Sequence, residues 1–97
     1  MAYKTIRTFT RPNASVPFFV FGDAINNYVN ATYNQTGKRT SLSIVESELT
    51  QTTTSIWIDE SAYNTFMSDQ HVVGHRQYVD AHNLEFGITT TWEYLEE

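Results

Sequence analysis

The sequence of 97 residues carries 11 acidic and 6 basic side chains, and its formal net charge of −5 disfavours nucleic acid as a partner. It contains no cysteine, which excludes disulfides, thiolate catalysis and cysteine-ligated metals. Its hydrophobic fraction of 40% predicts one folded domain over residues 1–97. The longest apolar run, Val16–Phe21, is too short to cross a membrane. The first residues lack the apolar stretch of a signal peptide, so we expect a cytoplasmic protein with no membrane partner.

The first predicted strand covers Tyr3–Arg11, which is rich in threonine, tyrosine, isoleucine and phenylalanine. Arg7, Phe9 and Arg11 share one face of this strand, because side chains alternate between the two faces. Two arginines and an aromatic residue in a row resemble the surfaces with which some proteins bind a single-stranded nucleic acid along its backbone. We interpret it instead as an edge strand whose charges discourage pairing with other chains.

A first helix is predicted to begin at Ser15, which can act as its N-cap, and to end near Tyr33. Pro17 is compatible with the first helical turn, since its missing N–H would be unpaired there anyway. Gly37 follows this segment and is the kind of residue that ends a helix. Apolar residues recur at the helical spacing of three and four positions, namely Phe18, Phe21, Ile25, Tyr28 and Val29.

Two further strands, Thr40–Leu49 and Thr53–Asp59, are predicted next, with a short turn between them. In the second strand Ile56 and Ile58 lie on one face and Trp57 lies on the other. Apolar side chains on both faces predict a sheet that is covered on both sides. Because the helices of one chain cover a single face, we expect a second copy of the chain to cover the other.

The segment Ser61–Asn83 is predicted to be helical, but the apolar residues of its two halves point in nearly opposite directions at about 100° per residue. A break near Ser68–Gln70, with Asp69 as the N-cap of the second half, lets both halves face one core. Phe86–Leu95 then forms the last strand. This order of elements predicts a ferredoxin-like α+β domain (βαββαβ), with a four-stranded antiparallel sheet and two helices on one face.

All three histidines, His71, His75 and His82, lie in the second half of this predicted helix, and Tyr78 shares their stripe. The spacing between His71 and His75 suits two imidazoles on one metal ion. His82 lies about 10 Å further along the helix axis than His75 and cannot join them. We therefore predict no metal site. His75 is a candidate acid–base or ligand-orienting group, because imidazole titrates near neutral pH, and a hydrogen-bonded histidine at the helix–sheet boundary is the alternative.

The candidate ligand pocket consists of Trp57, His75 and Tyr78. Trp57 has an alternative role as a core or dimer-interface aromatic, whose indole N–H needs a partner if it is buried. No nucleophile elbow, phosphate-binding loop or dinucleotide fingerprint occurs in the sequence, so the catalytic residues are left undetermined and no cofactor is predicted.

The segment from Trp57 to Asp69, followed by His75, resembles the dimeric α/β-barrel superfamily, which includes the antibiotic-biosynthesis-type monooxygenases and the related haem-degrading enzymes. In haem degraders a histidine on the corresponding helix ligates iron and the strand tryptophan contacts the porphyrin. Their catalytic asparagine on the first strand has no counterpart in Tyr3–Arg11, which argues against haem degradation here. The stretches Thr8–Asn13 and Val16–Phe18 are also similar to small uncharacterised phage-encoded proteins.

Two functional hypotheses follow, and whether the chain is an enzyme is left open between them. The first is a non-catalytic accessory or binding protein. The second is a small-molecule enzyme or ligand-binding protein of the monooxygenase-like type, with its pocket between helix and sheet near Trp57, His75 and Tyr78. In both hypotheses the chain forms a homodimer, in which the open sheet faces of two copies pack together as a dimeric α/β barrel.

Overall fold

In the computed structural model, which describes residues 1–96, four strands form one antiparallel sheet in the order β2-β3-β1-β4. The strands are β1 (Tyr3–Thr10), β2 (Arg39–Glu46), β3 (Thr50–Trp57) and β4 (Thr89–Glu96). The helices are α1 (Asp23–Val29), α2 (Glu60–Ser68) and α3 (Gln70–Phe86), and a π-helical turn, Asn30–Asn34, extends α1. The predicted ferredoxin-like α+β fold is confirmed. Among the helices of residues 1–96, none combines the length and hydropathy needed to span a bilayer.

Strand β1 lies in the middle of the sheet, paired with β3 on one side and β4 on the other. The interpretation of this strand as an edge strand is therefore wrong. Each helical crossover skips one position in the sheet, and this leaves the first and third strands in the centre. As a result Arg7 and Phe9 are enclosed by the helical layer instead of lying at a sheet edge, and Phe9 is 3% exposed.

The helix-facing side of the sheet carries the core, which consists of two apolar clusters. The first cluster is built on Tyr33, Trp57, Ala62 and Tyr63. The second cluster consists of Phe9, Val79 and Ile88, and the segment before α1 packs against it through Val16, Phe18, Phe19 and Phe21. Trp57 therefore points toward the helices.

The opposite, open face of the sheet is more polar than predicted. Aliphatic residues occur there at four positions, Ile6, Val45, Ile56 and Leu95. Seven threonines lie between or beside them, Thr8, Thr10, Thr50, Thr52, Thr54, Thr89 and Thr91. Lys4 and Glu93 lie on the same face. Threonine keeps the β-branched shape that suits a strand and adds a hydroxyl, so this face is only partly apolar.

The helix α1 begins seven residues later than predicted, because its N-cap is Gly22 instead of Ser15. The side chain of Asn13 accepts hydrogen bonds from the backbone N–H and the hydroxyl of Ser15, so this serine closes a turn and caps no helix. The residues after Pro17 then run without regular structure, and their phenylalanine rings pack on the second cluster.

Other predicted boundaries shift by a few residues. Phe86 is the last residue of α3 instead of the first residue of a strand, because Gly87 adopts a left-handed conformation with a φ of 71° and ends the helix. The hairpin between β2 and β3 also turns earlier than predicted, so that β3 begins at Thr50 instead of Thr53.

The predicted break between the last two helices is confirmed, with α2 ending at Ser68 and α3 beginning at Gln70. Asp69 stands between them in an extended conformation, and its Oδ1 accepts a hydrogen bond from the backbone N–H of His71 at 2.9 Å. Its Oδ2 accepts hydrogen bonds from the hydroxyls of Tyr28 at 2.6 Å and Tyr33 at 2.5 Å. One carboxylate thus caps α3 and joins it to α1 and the π-helical turn.

We predict that Asp69→Ala lowers the free energy of unfolding by about 2 kcal/mol, because it removes a helix cap together with charged hydrogen bonds. Asp59→Ala is the matched control. Asp59 caps α2 by accepting from the Ala62 N–H at 2.8 Å, so its loss is expected to cost about 1 kcal/mol. Urea unfolding of both variants measures the difference, and equal losses would contradict the role of Asp69 as a junction.

Candidate functional site

A shallow, open groove of about 430 Å³ lies between α1 and α3. Its walls are formed by Ala24, Ile25 and Tyr28 from α1 and by Gln70, His71, Gly74, His75 and Tyr78 from α3. The groove is therefore lined by aromatic rings, imidazoles and short aliphatic side chains.

The sequence of α3 explains why the groove is open. His71, Gly74, His75 and Tyr78 are spaced by three, four and seven positions, so they lie on one face of the helix. Gly74 sits in the middle of this face, and no atom lies within 4 Å of the position that a Cβ would occupy there. The missing side chain leaves free space between the two histidines and Tyr78.

His75 lies at the inner wall of the groove. Its ring packs against Phe19 and Phe21, with centroid distances of 5.4 and 5.3 Å. Its Nε2 is buried and has no hydrogen-bond partner among the described residues. Burial lowers the pKa of His75 below its ordinary value, which favours the neutral imidazole near pH 7.

The opposite wall is held by Tyr28, whose ring contacts the His71 ring at a centroid distance of 4.5 Å. The hydrogen bond to the Asp69 carboxylate raises the pKa of Tyr28, so this hydroxyl stays protonated and keeps donating to Asp69. Tyr78 stands at the rim and is 70% exposed. His75 and Tyr78 thus lie at different depths of this groove.

The structure brings His75 and Tyr78 together but places Trp57 elsewhere. Trp57 is 1% exposed in the first core cluster, and its indole N–H donates to Thr5 Oγ1 at 3.1 Å. This is the packing role considered as the alternative for Trp57. The ligand-binding roles of His75 and Tyr78 stay predictions.

The third histidine stabilises the segment before α1. Nε2 of His82 lies 2.8 Å from the carbonyl oxygen of Pro17, and since a carbonyl only accepts, this nitrogen carries the proton. The ring also packs on Phe19 and Phe86. Within residues 1–96 no group of three or more histidine, aspartate or glutamate side chains is arranged to hold a metal ion.

Sequence reasoning missed a second feature of this region, the guanidinium of Arg7. It lies between the sheet and the helices with its Nε buried and without a hydrogen-bond partner. Burial and the nearby Arg39 cation lower the pKa of Arg7 to about 10. The signal in the sequence was an arginine on the same strand face as Thr5 and Phe9. It becomes informative only once the strand is known to be central.

The resemblance predicted from Trp57 onward is confirmed at the level of the fold, because solved structures of similar fold cover nearly the whole chain. Two crystal structures of SnoaB, a cofactor-independent oxygenase from Streptomyces nogalater, are similar with a TM-score of 0.68 and 11% sequence identity, over 99% of this chain and 92% of that chain. Rv0793 from Mycobacterium tuberculosis is similar with a TM-score of 0.62 and 12% identity, over 98% and 94% of the two chains.

No protein family and no curated protein matches the sequence itself. The resemblance to small phage-encoded proteins finds no support in these matches. Since the similar structures share so little sequence identity with this chain, they establish its fold and leave its chemistry to be argued from its own residues.

The buried imidazole of His75 predicts a pH dependence of stability. Its folded-state pKa is lowered, so between that value and the ordinary 6.5 the unfolded chain binds more protons than the folded chain. Stability is therefore expected to fall as the pH drops below 6.5. His75→Phe keeps a ring at this position but cannot bind a proton. Its free energy of unfolding should therefore fall less than that of the parent between pH 7 and pH 5. Urea unfolding at several pH values measures both slopes, and parallel slopes would contradict the prediction.

Proposed function

We propose that this chain is a homodimeric small-molecule-binding protein of the monooxygenase-like dimeric α/β-barrel type, with its ligand in the α1–α3 groove. The observation that carries the proposal is the groove of about 430 Å³ beside Gly74, with the imidazole of His75 in its wall. A mostly apolar lining with a few polar side chains is typical of small-molecule sites.

The chemistry of the lining favours an uncharged, ring-bearing ligand. Ile25, Tyr28 and Gly74 offer apolar and aromatic surface, and the groove lining contains no charged side chain at neutral pH apart from any protonated histidine. A phenol fits this description, because its ring can pack between the helices while its hydroxyl hydrogen-bonds to His75.

A second candidate function is cofactor-independent oxygenation, as in the structurally similar SnoaB. The neutral imidazole of His75 favours it, because such a group can take a proton from a bound phenol and leave an electron-rich phenolate. This function needs the same bound ligand as the first, so ligand binding is the property to test first.

Gly74→Leu is expected to fill the groove and to weaken binding of 1-naphthol at least tenfold, because its side chain enters the open space beside His75. Gly74→Ala is the matched control. It should keep most of the affinity and raise the free energy of unfolding by up to about 1 kcal/mol, since alanine favours the helix. Histidine-ring NMR signals during titration with 1-naphthol measure both effects. Equal affinity in the parent and in Gly74→Leu would overturn the groove as the site.

We further propose that the open faces of two sheets pack together in the homodimer. The support is the open face of mainly threonine and aliphatic side chains, with Lys4 and Glu93 among them, on which Val45 is 62% and Leu95 43% exposed. Helices cover the other side of the sheet, so a second copy is the partner that this face fits best.

Sedimentation at micromolar concentration is expected to give about twice the chain mass of 11.2 kDa. Thr8→Arg, in the middle of the open face, should convert the dimer to monomer because it places unpaired cations in the interface. Gln77→Arg adds the same charge at an exposed position of α3 and should leave the dimer intact. A parent protein that sediments as a monomer would rule out this assembly.

A further inference from the structure

Two cations stand at the beginning of the edge strand β2. Nζ of Lys38 lies 5.7 Å from the centre of the Tyr33 ring, and Cζ of Arg39 lies 5.4 Å from the centre of the Trp57 ring. Partial burial lowers the pKa of Arg39, and no carboxylate of residues 1–96 acts to raise it. In a protein with a net charge of −5, this end of β2 therefore carries positive charge that no acidic side chain offsets.

The guanidinium of Arg39 is held in one orientation by its neighbours. Its Nε donates to Asn34 Oδ1 at 2.7 Å. The amide of Asn34 is itself fixed, because its Nδ2 donates to Asn30 Oδ1 at 3.3 Å. The guanidinium also lies over the ring of Trp57, which is buried in the first core cluster. A side chain that is held by such supporting contacts loses little freedom when it binds a ligand.

The remaining N–H donors of Arg39 are accessible. Nη1 and Nη2 carry four N–H groups, and neither nitrogen has an acceptor within the part of the chain that the structure describes. Neither nitrogen belongs to the buried atoms that lack a partner, so both reach solvent. Arg7 differs in this respect, because its Nε is buried. Arg39 can therefore bind an external group without a rearrangement of the core.

A shallow pocket of about 250 Å³ adjoins Arg39 at the edge of the sheet. It is lined by Asn34, Arg39, Thr40, Ser41 and Leu42. The lining is mainly polar, and its single charged side chain is that of Arg39. The pocket lies at a β-bulge, since Arg39 is opposite Trp57 and Ser41 is opposite Ile56, which leaves Thr40 as the extra residue. Bulges redirect side chains at sheet edges and often occur beside functional sites.

The acidic side chains of this region have other partners. Asp59 and Glu60 follow β3 at the same end of the sheet. The Asp59 carboxylate caps α2 by accepting from the Ala62 N–H, and Glu60 acts on the hydroxyl of Tyr3. The cation of Arg39 acts instead on a second cation, that of Arg7, and lowers its pKa. A bound anion would offset this repulsion between like charges, so the local potential favours one.

We propose that Arg39 binds a tetrahedral oxyanion, a phosphate or sulfate group, in this pocket, together with the hydroxyl of Ser41. A guanidinium offers parallel N–H donors that match two oxygens of such a group. Lys38 adds positive charge beside the pocket, and Leu42, which is 45% exposed, offers apolar surface to an attached organic group. Inorganic phosphate and a phosphate ester share this chemistry. No residue of the pocket lines the α1–α3 groove, so the proposal does not depend on the function proposed for the groove.

NMR titration of the isotope-labelled protein with inorganic phosphate at constant ionic strength tests the site. The signals of the Arg39 Nε–H and of the Ser41 amide are expected to shift and to saturate at millimolar phosphate. Arg39→Gln should weaken binding about tenfold, because it removes hydrogen bonds between charged groups. Gln77→Glu changes the net charge by the same single unit at an exposed position of α3 and should leave the affinity unchanged. A parent protein without saturable shifts at Arg39 and Ser41 would overturn the proposal.

Ser41→Asp provides a second variant in case Arg39→Gln does not fold. Its carboxylate would pair with Arg39 and repel phosphate, so binding should again weaken about tenfold. The position is exposed on an edge strand, where the substitution is expected to leave the fold intact. Ser43→Asp is the matched control, because it makes the same change at an exposed position of β2 outside the pocket and should retain binding. Equal phosphate affinities in these two variants would contradict the site.

A comparison of inorganic phosphate with n-butyl phosphate identifies the source of the oxyanion. Tighter binding of the ester, lost in Leu42→Ser, would support a phosphate ester that rests on the exposed leucine, whereas equal affinity would support inorganic phosphate. The neutral 1-butanol should leave the signals of Arg39 and Ser41 in place. If 1-butanol shifts these signals as the ester does, the pocket recognises the alkyl chain and the proposal of an oxyanion site fails.

Discussion

The carboxylate of Asp69 is the interaction on which the arrangement of the helical layer depends. Partial desolvation acts to raise the pKa of Asp69, but hydrogen bonds from Tyr28 and Tyr33 and from the His71 N–H outweigh it and lower the pKa. The group is therefore ionised near neutral pH. In the ionised state the carboxylate caps the first turn of α3 by accepting from the His71 N–H. It also accepts from Tyr28 and Tyr33, and these bonds attach α1 and the π-helical turn to the boundary between α2 and α3.

The π-helical turn makes this junction geometrically feasible. Tyr28 and Tyr33 are five positions apart, which in an α-helix places them about 140° apart around the axis. The wider turn, closed by the bond from the Gln35 N–H to the Asn30 carbonyl oxygen at 2.9 Å, brings both hydroxyls to one oxygen of Asp69. Tyr28 is thereby fixed beside His71, and the groove in front of His75 obtains a rigid wall.

Polar residues divide the core of the sheet into its two apolar clusters. Thr5 and Ser55 are buried opposite each other, and the next cross-strand pair is Arg7 and Thr53. Two of these polar residues have a hydrogen bond that explains their position. Thr5 accepts from the Trp57 indole N–H, and Thr53 accepts from the Arg7 guanidinium. The guanidinium of Arg7 lies over the Phe9 ring at 4.2 Å, so the cation contacts the second cluster.

The sequence by itself determined the order of the elements, the helix break at Asp69 and the common face of His71, His75 and Tyr78. Each of these follows from local periodicity or capping, which neighbouring residues in the chain decide. Only the tertiary structure placed β1 in the centre of the sheet and thereby enclosed Arg7. Only the tertiary structure also turned Trp57 into the core, away from His75. Strand order and the covered face depend on contacts between residues far apart in sequence, which alternation along a single strand leaves undetermined.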